Sequence, residues 1–240
     1  MFRLALDAGH GYNTSGKRCD KRIDPKETRE WVLNSRICNK IEELLKAYEG
    51  YELLRVDDVT GKTDVPLATR TANANKFKAD LYLSVHHDAG INGGSGGGLT
   101  VFTWNNPDDQ LRNWQKMFYD ALIRETGLKG NRAHPLSKAD FYVLVNTNMQ
   151  AILIEHGFMD STTDVPIILS EDFADKVAKA HVETIVKIGG LTKKKVTQPT
   201  ETKKLYRVQV GAFGVKANAE NMKAKLKADG YDAFIVETNV

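Results

Sequence analysis

Four residues of this chain carry the side-chain types and settings that metal-assisted hydrolysis needs: His10, Glu30, His86 and Glu155. His10 follows the apolar run Phe2–Asp7, His86 closes the run Asp80–His86, and Glu155 closes Ala151–Glu155. Open α/β sheets gather their sites beyond the carboxyl ends of the strands, and all three residues hold that position. Glu30 stands three residues before Leu33 and seven before Ile37, so it shares the apolar face of a helix. A carboxylate on a buried stripe is costly unless it is paired or binds a metal. Two histidines and a glutamate from separate elements make a zinc ligand set with one position open, the catalytic arrangement. Zinc held there lowers the pKa of water to about 7 and polarises a carbonyl. Glu155 could then take the proton from that water and pass it to a leaving amine. Blander readings exist for each. A histidine after a strand is more often a satisfied structural residue, a glutamate at a helix start a dipole partner, and a glutamate at a strand end a solvated charge. Pattern alone leaves both readings open.

The elements that must position these residues alternate in type. Strand-like runs cover Phe2–Asp7, Tyr51–Val56, Asp80–His86, Leu99–Trp104, Phe141–Leu144 and Ala151–Glu155. Helical spacing of apolar residues covers Glu27–Tyr48, Leu67–Phe77, Asp108–Thr126 and Phe173–Ile188. Asp24-Pro25 serves as a start signal for the first helix, and Gly189-Gly190 closes the last. This alternation predicts an α/β fold, a mostly parallel sheet flanked by helices. The run GINGGSGGG (Gly90–Gly98) reads as a flexible loop by composition. It follows His86 closely and is expected to border the cleft.

The chain has 240 residues, 41% apolar and 27% charged, enough for one medium domain plus something small. We divide it at 1–190 (catalytic body), 191–204 (linker) and 205–240. The linker, LTKKKVTQPTETKK, lacks periodicity and aromatic residues and carries Pro199. Beyond it, Leu205–Val210, Ala217–Ala228 and Ala233–Val236 predict a small C-terminal βαβ appendage, too short to bury a core comfortably. Net charge is +3, but residues 191–240 hold ten Lys/Arg against five Asp/Glu. The basic tail suits an anionic partner such as nucleic acid or an acidic wall polymer, or is simply a solvated helix face. Cys19 and Cys38 show no metal-binding spacing and read as free thiols. No apolar run is long enough to span a membrane, and the first residues lack the pattern of a secretory leader.

The local sequences also resemble a known family. DAGHG (Asp7–Gly11), Glu30 with Asn34, PLATRTANAN (Pro66–Asn75), ADLYLSVHHDA (Ala79–Ala89) and FYVLVNTNMQAILIEHGFMDS (Phe141–Ser161) occur in that order. Together they resemble the motifs of the zinc-dependent N-acetylmuramoyl-L-alanine amidases, the type-3 amidases, over roughly residues 1–190. The resemblance implies that His10, Glu30 and His86 hold Zn2+ and that Glu155 is the catalytic glutamate. The implied activity is hydrolysis of the amide between N-acetylmuramic acid and the first L-alanine of the peptidoglycan stem peptide. It makes peptidoglycan the partner, not nucleic acid. His87 falls beside a proposed ligand and points to the opposite side of the strand, while His134, His156 and His181 fall outside the motifs. Asp88 stands where the family usually has Asn, Gln150 where it has Pro, and Val145 where Arg is common. The loop Gly11–Lys26 departs from the family pattern, which leaves Glu27 as an alternative to Glu30. The tail resembles the first half of a SPOR domain, a peptidoglycan-binding module, carried by Gln209-Val-Gly-Ala-Phe and Gly230-Tyr-Asp-Ala. Such a half could pair with a second copy in a homodimer, stand as a remnant, or reflect truncation. A zinc peptidase acting on stem peptides would use the same site, and a non-catalytic wall-binding protein would need a broken one. With no secretory leader, the expectation is synthesis in the cytoplasm and action on the wall after release, as a phage endolysin or a sporulation mother-cell lytic enzyme.

Overall fold

The computed structural model describes residues 1–194 and 208–238. The chain divides into two units, Met1–Lys194 and Lys195–Val240. The first unit runs β1 (Phe2–Ala8), α1 (Glu30–Leu45), β2 (Tyr48–Glu49), β3 (Tyr51–Arg55), α2 (Leu67–Phe77), β4 (Leu81–Asp88) and β5 (Leu99–Thr103). It continues with α3 (Asp109–Thr126), β6 (Leu136–Lys138), α4 (Tyr142–Val145), β7 (Gln150–Phe158), α5 (Val165–Ile168), α6 (Glu171–Gly189) and β8 (Thr192–Lys193).

Six strands form one sheet in the order β3-β1-β4-β7-β5-β6. Its pairs are parallel except β5 with β7, which is antiparallel. The central strands β1, β4 and β7 read as near-continuous apolar runs because both faces are covered. Alternate residues serve the two faces. Leu4, Leu6, Leu81, Leu83, Val85, Ile152 and Ile154 join the larger core with the apolar stripes of α1, α3 and α6. Ala5, Tyr82, Ala151 and Leu153 join a smaller one with Ala74 of α2 and Val143 and Leu144 of α4. The same alternation sends His87 and His156 to the first face and His86 and Glu155 to the second.

Several expectations need correction. The first helix starts at Glu30, not Glu27. The Asp24 carboxylate accepts the Lys26 and Thr28 amides, which closes a separate turn, and Glu27 has φ +49°. Phe141–Leu144 is not a strand. The Leu144 and Val145 amides both donate to the Phe141 carbonyl, and the neighbours Val143 and Leu144 are buried together, which α4 permits and alternation does not. Strand β6 carries no sequence signal; Leu136 is exposed and the strand is three residues long. The Gly90–Gly98 loop is tied down along its length. Asp160 accepts the Gly90 and Asn92 amides, Thr163 Oγ1 that of Gly96, Asn131 that of Gly97, and Asp164 that of Gly98. Gly97 (φ +114°) and Gly98 (φ +89°) supply backbone that other residues rarely adopt, and a Cβ on Gly97 would meet the Phe158 ring. Its glycines therefore serve close packing.

Leu191 is buried and β8 pairs with β2, so Leu191–Lys194 belong to the first unit. Residues 195–204 of the expected linker and Leu205–Arg207 lie outside the described residues. In the second unit the helix forms as α7 (Lys216–Ala228), but Val208–Val210 and Ala233–Val236 take no strand. No residue of α7 is buried, and Val208 and Phe234 are 86% and 73% exposed. A two-stranded ladder with no covered apolar face has little to hold it.

Candidate metal centre

β1 and β4 are parallel neighbours, and Ala8 is in register with Val85. Their carboxyl ends therefore bring His10 and His86 side by side, with ring centroids 5.0 Å apart. Gly9 lies between them, and a Cβ there would clash with the His86 ring, 2.0 Å from its Cε1. His10 has φ +67°, an uncommon conformation for a side-chain-bearing residue. Arg70 of α2 holds it there. Its guanidinium donates to the Ala8 carbonyl at 2.9 Å and to the His10 carbonyl at 3.0 Å, and it is paired with Asp7 and Asp64. Asp7 in turn accepts from Tyr82 Oη and Ser84 Oγ on β4.

Glu30 enters from the first turn of α1 and is fully buried. Its Oε1 accepts from His86 Nδ1 at 3.0 Å, the His87 amide at 3.3 Å and Asn34 Nδ2 at 3.3 Å. Asn34, one turn later, also donates to the Gly9 carbonyl at 3.1 Å and accepts from His87 Nδ1 at 2.8 Å. The other oxygen, Oε2, is buried with no hydrogen-bond partner and stands 3.4 Å from His10 Nε2. Burial pushes the Glu30 carboxyl up, yet the hydrogen bond and charge of His86, with His10 and Lys17, hold it down at about 2. Burial takes His10 down to about 4, against the upward pull of Glu30.

His10, Glu30 and His86 each offer a ligand atom, all within 4.8 Å of one another. Ligands about a tetrahedral zinc with bonds near 2.0–2.1 Å stand about 3.3 Å apart, so small side-chain adjustments close the cup on an ion. Two imidazoles and a carboxylate are a common zinc donor set, and a buried carboxylate oxygen without a partner is what an ion would satisfy. The residues present fit the metal. Glu27 lies elsewhere, paired with Arg18 at 3.2 Å.

Glu155 is in register with His86 across β4 and β7, so the two side chains share a face. Its Oε2 is also buried without a partner. Burial, against the charge of His86, pushes its carboxyl up to about 8. Beside His10 and His86, Asp64, Val65, Pro66 and Leu67 line a cleft of about 250 Å³.

The residues that sequence reading passed over are those that hold others in place. His156 Nδ1 donates to the His86 carbonyl at 3.1 Å, and its Nε2 accepts from His181 Nε2 at 2.8 Å, both rings being buried. Asp88 is neutralised by Arg132, whose guanidinium also lies 4.7 Å from the Phe158 ring centre. Lys17, in the loop before α1, brings Nζ to 3.7 Å from Glu30 Oε2.

A mostly parallel sheet carries His10, His86 and Glu155 at its strand ends, and α1 brings Glu30 to the two histidines, which is the set of side chains an α/β metallohydrolase uses. Residues 4–187 match the N-acetylmuramoyl-L-alanine amidase family model, and the chain belongs to that family. Residues 202–240 match the SPOR domain model. The chain is 28% identical over 238 residues to the N-acetylmuramoyl-L-alanine amidase CwlM of Bacillus licheniformis, covering 98% of this chain and 85% of that protein. It is 30% identical over 250 residues to an endolysin of Bacillus phage SPP1, covering 98% and 88%. The catalytic domain of CwlV, an amidase from Bacillus (Paenibacillus) polymyxa, has the same fold, with a TM-score of 0.69 at 22% identity over 80% of this chain and 100% of that one. The protein is thus a peptidoglycan hydrolase that cleaves the amide between N-acetylmuramic acid and L-alanine. Enzymes of this family are generally zinc enzymes. Among the described residues, no helix is long and apolar enough to cross a membrane.

Proposed function

We propose that His10, Glu30 and His86 hold a catalytic zinc ion and that Glu155 is the general base and acid of the amidase. The observation that carries this reading is the pair of buried, partnerless oxygens, Glu30 Oε2 and Glu155 Oε2, beside His10 and His86. When bound, zinc supplies Lewis acidity, making water more acidic and polarising the carbonyl. Glu155 receives the proton of the attacking water and delivers it to the departing L-alanine nitrogen. A glutamate tuned upward is suited to exchanging a proton near neutral pH. Oε1 of Glu30, fixed by three donors, sets the direction of Oε2. The cleft along Val65–Leu67 receives the substrate beside His10 and His86.

The tail from residue 205 is an attachment to the wall and a contact between two copies of the chain. Exposed Val208, Tyr231, Phe234 and Val236 support that reading, since apolar side chains without cover are what such a contact would bury. Relatives named as a sporulation-specific amidase of Bacillus subtilis and as a phage endolysin support release onto the wall during sporulation or phage lysis.

End-group analysis of digested cell wall tests the chemistry. The expected result is new L-alanine amino ends without new reducing sugars, abolished by a chelator and restored by added zinc. Glu155→Gln is expected to keep its zinc and lose about 10²–10⁴-fold in kcat. Chelator-resistant release, or a fully active Glu155→Gln, would overturn the assignment.

A further inference from the structure

We propose that Lys17 is a catalytic residue of the amidase, its ammonium donating to the oxygen of the scissile amide as that oxygen takes up negative charge. The proposal rests on the reading that Glu30 is a metal ligand and Glu155 the base. It goes beyond that reading because Lys17 lies in the Gly11–Lys26 loop, outside every motif the sequence offers.

Two observations place the ammonium. Nζ is 3.7 Å from Glu30 Oε2, the ligand oxygen that has no hydrogen-bond partner. The backbone of Lys17 is also anchored to the ligand it faces, because its carbonyl accepts the Glu30 amide at 3.1 Å. On either side, the Lys17 amide donates to the Thr14 carbonyl and the Cys19 amide to the Thr28 carbonyl. The side chain is 45% exposed, so its tip remains free to follow a substrate.

The chemistry requires such a group. Water adds to the carbonyl carbon, and the carbon–oxygen π pair moves onto oxygen. That pair then returns, the carbon–nitrogen bond breaks, and both protons of the water reach nitrogen, the first through Glu155 and the second from the newly formed carboxylic acid. The products are a carboxylate on the lactyl group and the protonated amine of L-alanine. Charge appears on the carbonyl oxygen only in the middle of this sequence, so a donor fixed there stabilises the transition state more than the substrate. Once Glu30 Oε2 serves as a ligand, the Lys17 ammonium loses its counter-ion and can turn to that oxygen. At 3.7 Å from Oε2 and on a side chain that is 45% exposed, the ammonium is close to the ligand cup and free to change rotamer.

The test uses the full chain with Lys17→Met and Lys17→Arg, a soluble N-acetylmuramoyl peptide, and zinc affinity by chelator competition. Lys17→Met is expected to lower kcat by about 10²-fold, the cost of one oxyanion donor, with KM changed less than about threefold. Lys17→Arg is expected to restore a substantial part of kcat. Removing a cation beside a ligand carboxylate should tighten zinc binding in Lys17→Met, a readout independent of turnover. A kcat within about threefold of the parent overturns the proposal, as does a loss confined to KM or an unchanged or weakened zinc affinity. These outcomes differ from failure of the metal reading itself, which chelator resistance and an active Glu155→Gln would reveal in the parent background.

Discussion

Asn34 reaches the end of β1 through the Gly9 carbonyl, a candidate ligand through Glu30 Oε1, and the neighbour of another through His87 Nδ1. It is fully buried, so its effect on chemistry must pass through the orientation of Glu30 and of the backbone and rings around it. Residues that orient metal ligands typically change affinity by 10–100-fold when removed. Asn34→Ala is therefore expected to weaken zinc binding by about that factor, while Glu155 keeps its environment. Chelator competition on the full chain measures it, and an affinity equal to the parent's would show that Glu30 is held by the helix alone. Lys17 is the opposite case at the same scale. It is an exposed residue in an irregular loop, held by backbone bonds to Glu30 and Thr14, and neither spacing nor hydropathy marks it.

The helix α2 holds the β1 end through one side chain, Arg70, buried together with Asp7. Breaking a buried pair from one side leaves an uncompensated charge and costs about 3–5 kcal/mol. Asp7→Asn is expected to lose that much in chemical denaturation, and to relax the backbone of His10 that Arg70 secures. Burial opposes ionisation of Asp7, but the charges of Arg70 and His86 and the Ser84 hydrogen bond leave its carboxyl below the usual range. A carboxyl lowered in the folded state adds stability above its unfolded pKa of about 3.9 and loses it as pH falls through the lower folded value. The gap between parent and Asp7→Asn should accordingly narrow below about pH 4; a gap that widened in acid would contradict the pairing. This scale also shows where sequence reading works. Leu33, Ile37 and Ile41, or the run Leu81–Val85, announce their elements because many residues agree on one face. The end of a strand then locates His10, His86 and Glu155. Position 30 follows from the same stripe, and Asn34 from its helical spacing. Arg70 is legible only as part of a helix, since its partner lies sixty-three residues away. Phe141–Leu144 misleads because four apolar residues do not distinguish a strand from a turn of helix. The glycines of Gly90–Gly98 read as loose because composition does not reveal the carboxylates that bind their amides.

At the scale of the molecule, the two units contribute unequally to burial. The described core residues all belong to Met1–Lys194, and the described part of the second unit, Val208–Glu237 included, adds no buried apolar side chain. Leu191 and β8 complete the first unit, so a chain ending at Lys194 retains every element that packs against the sheet. Such a truncation is expected to keep the parent's melting temperature within a few degrees and its kcat on a soluble N-acetylmuramoyl peptide. Its binding to insoluble wall should fall, because the segment matching the SPOR domain and about a quarter of the Lys and Arg residues leave with the tail. If the exposed Val208, Tyr231, Phe234 and Val236 are covered by a second copy, the full chain will sediment as a dimer and the truncated one as a monomer. The two properties separate by salt. Attraction between basic residues and an anionic wall weakens as ionic strength rises, whereas burial of apolar side chains between copies does not. Full-length protein that stays dimeric while leaving the wall at high salt would support both roles. A truncated form that binds wall as tightly as the parent would instead move attachment to the sheet domain.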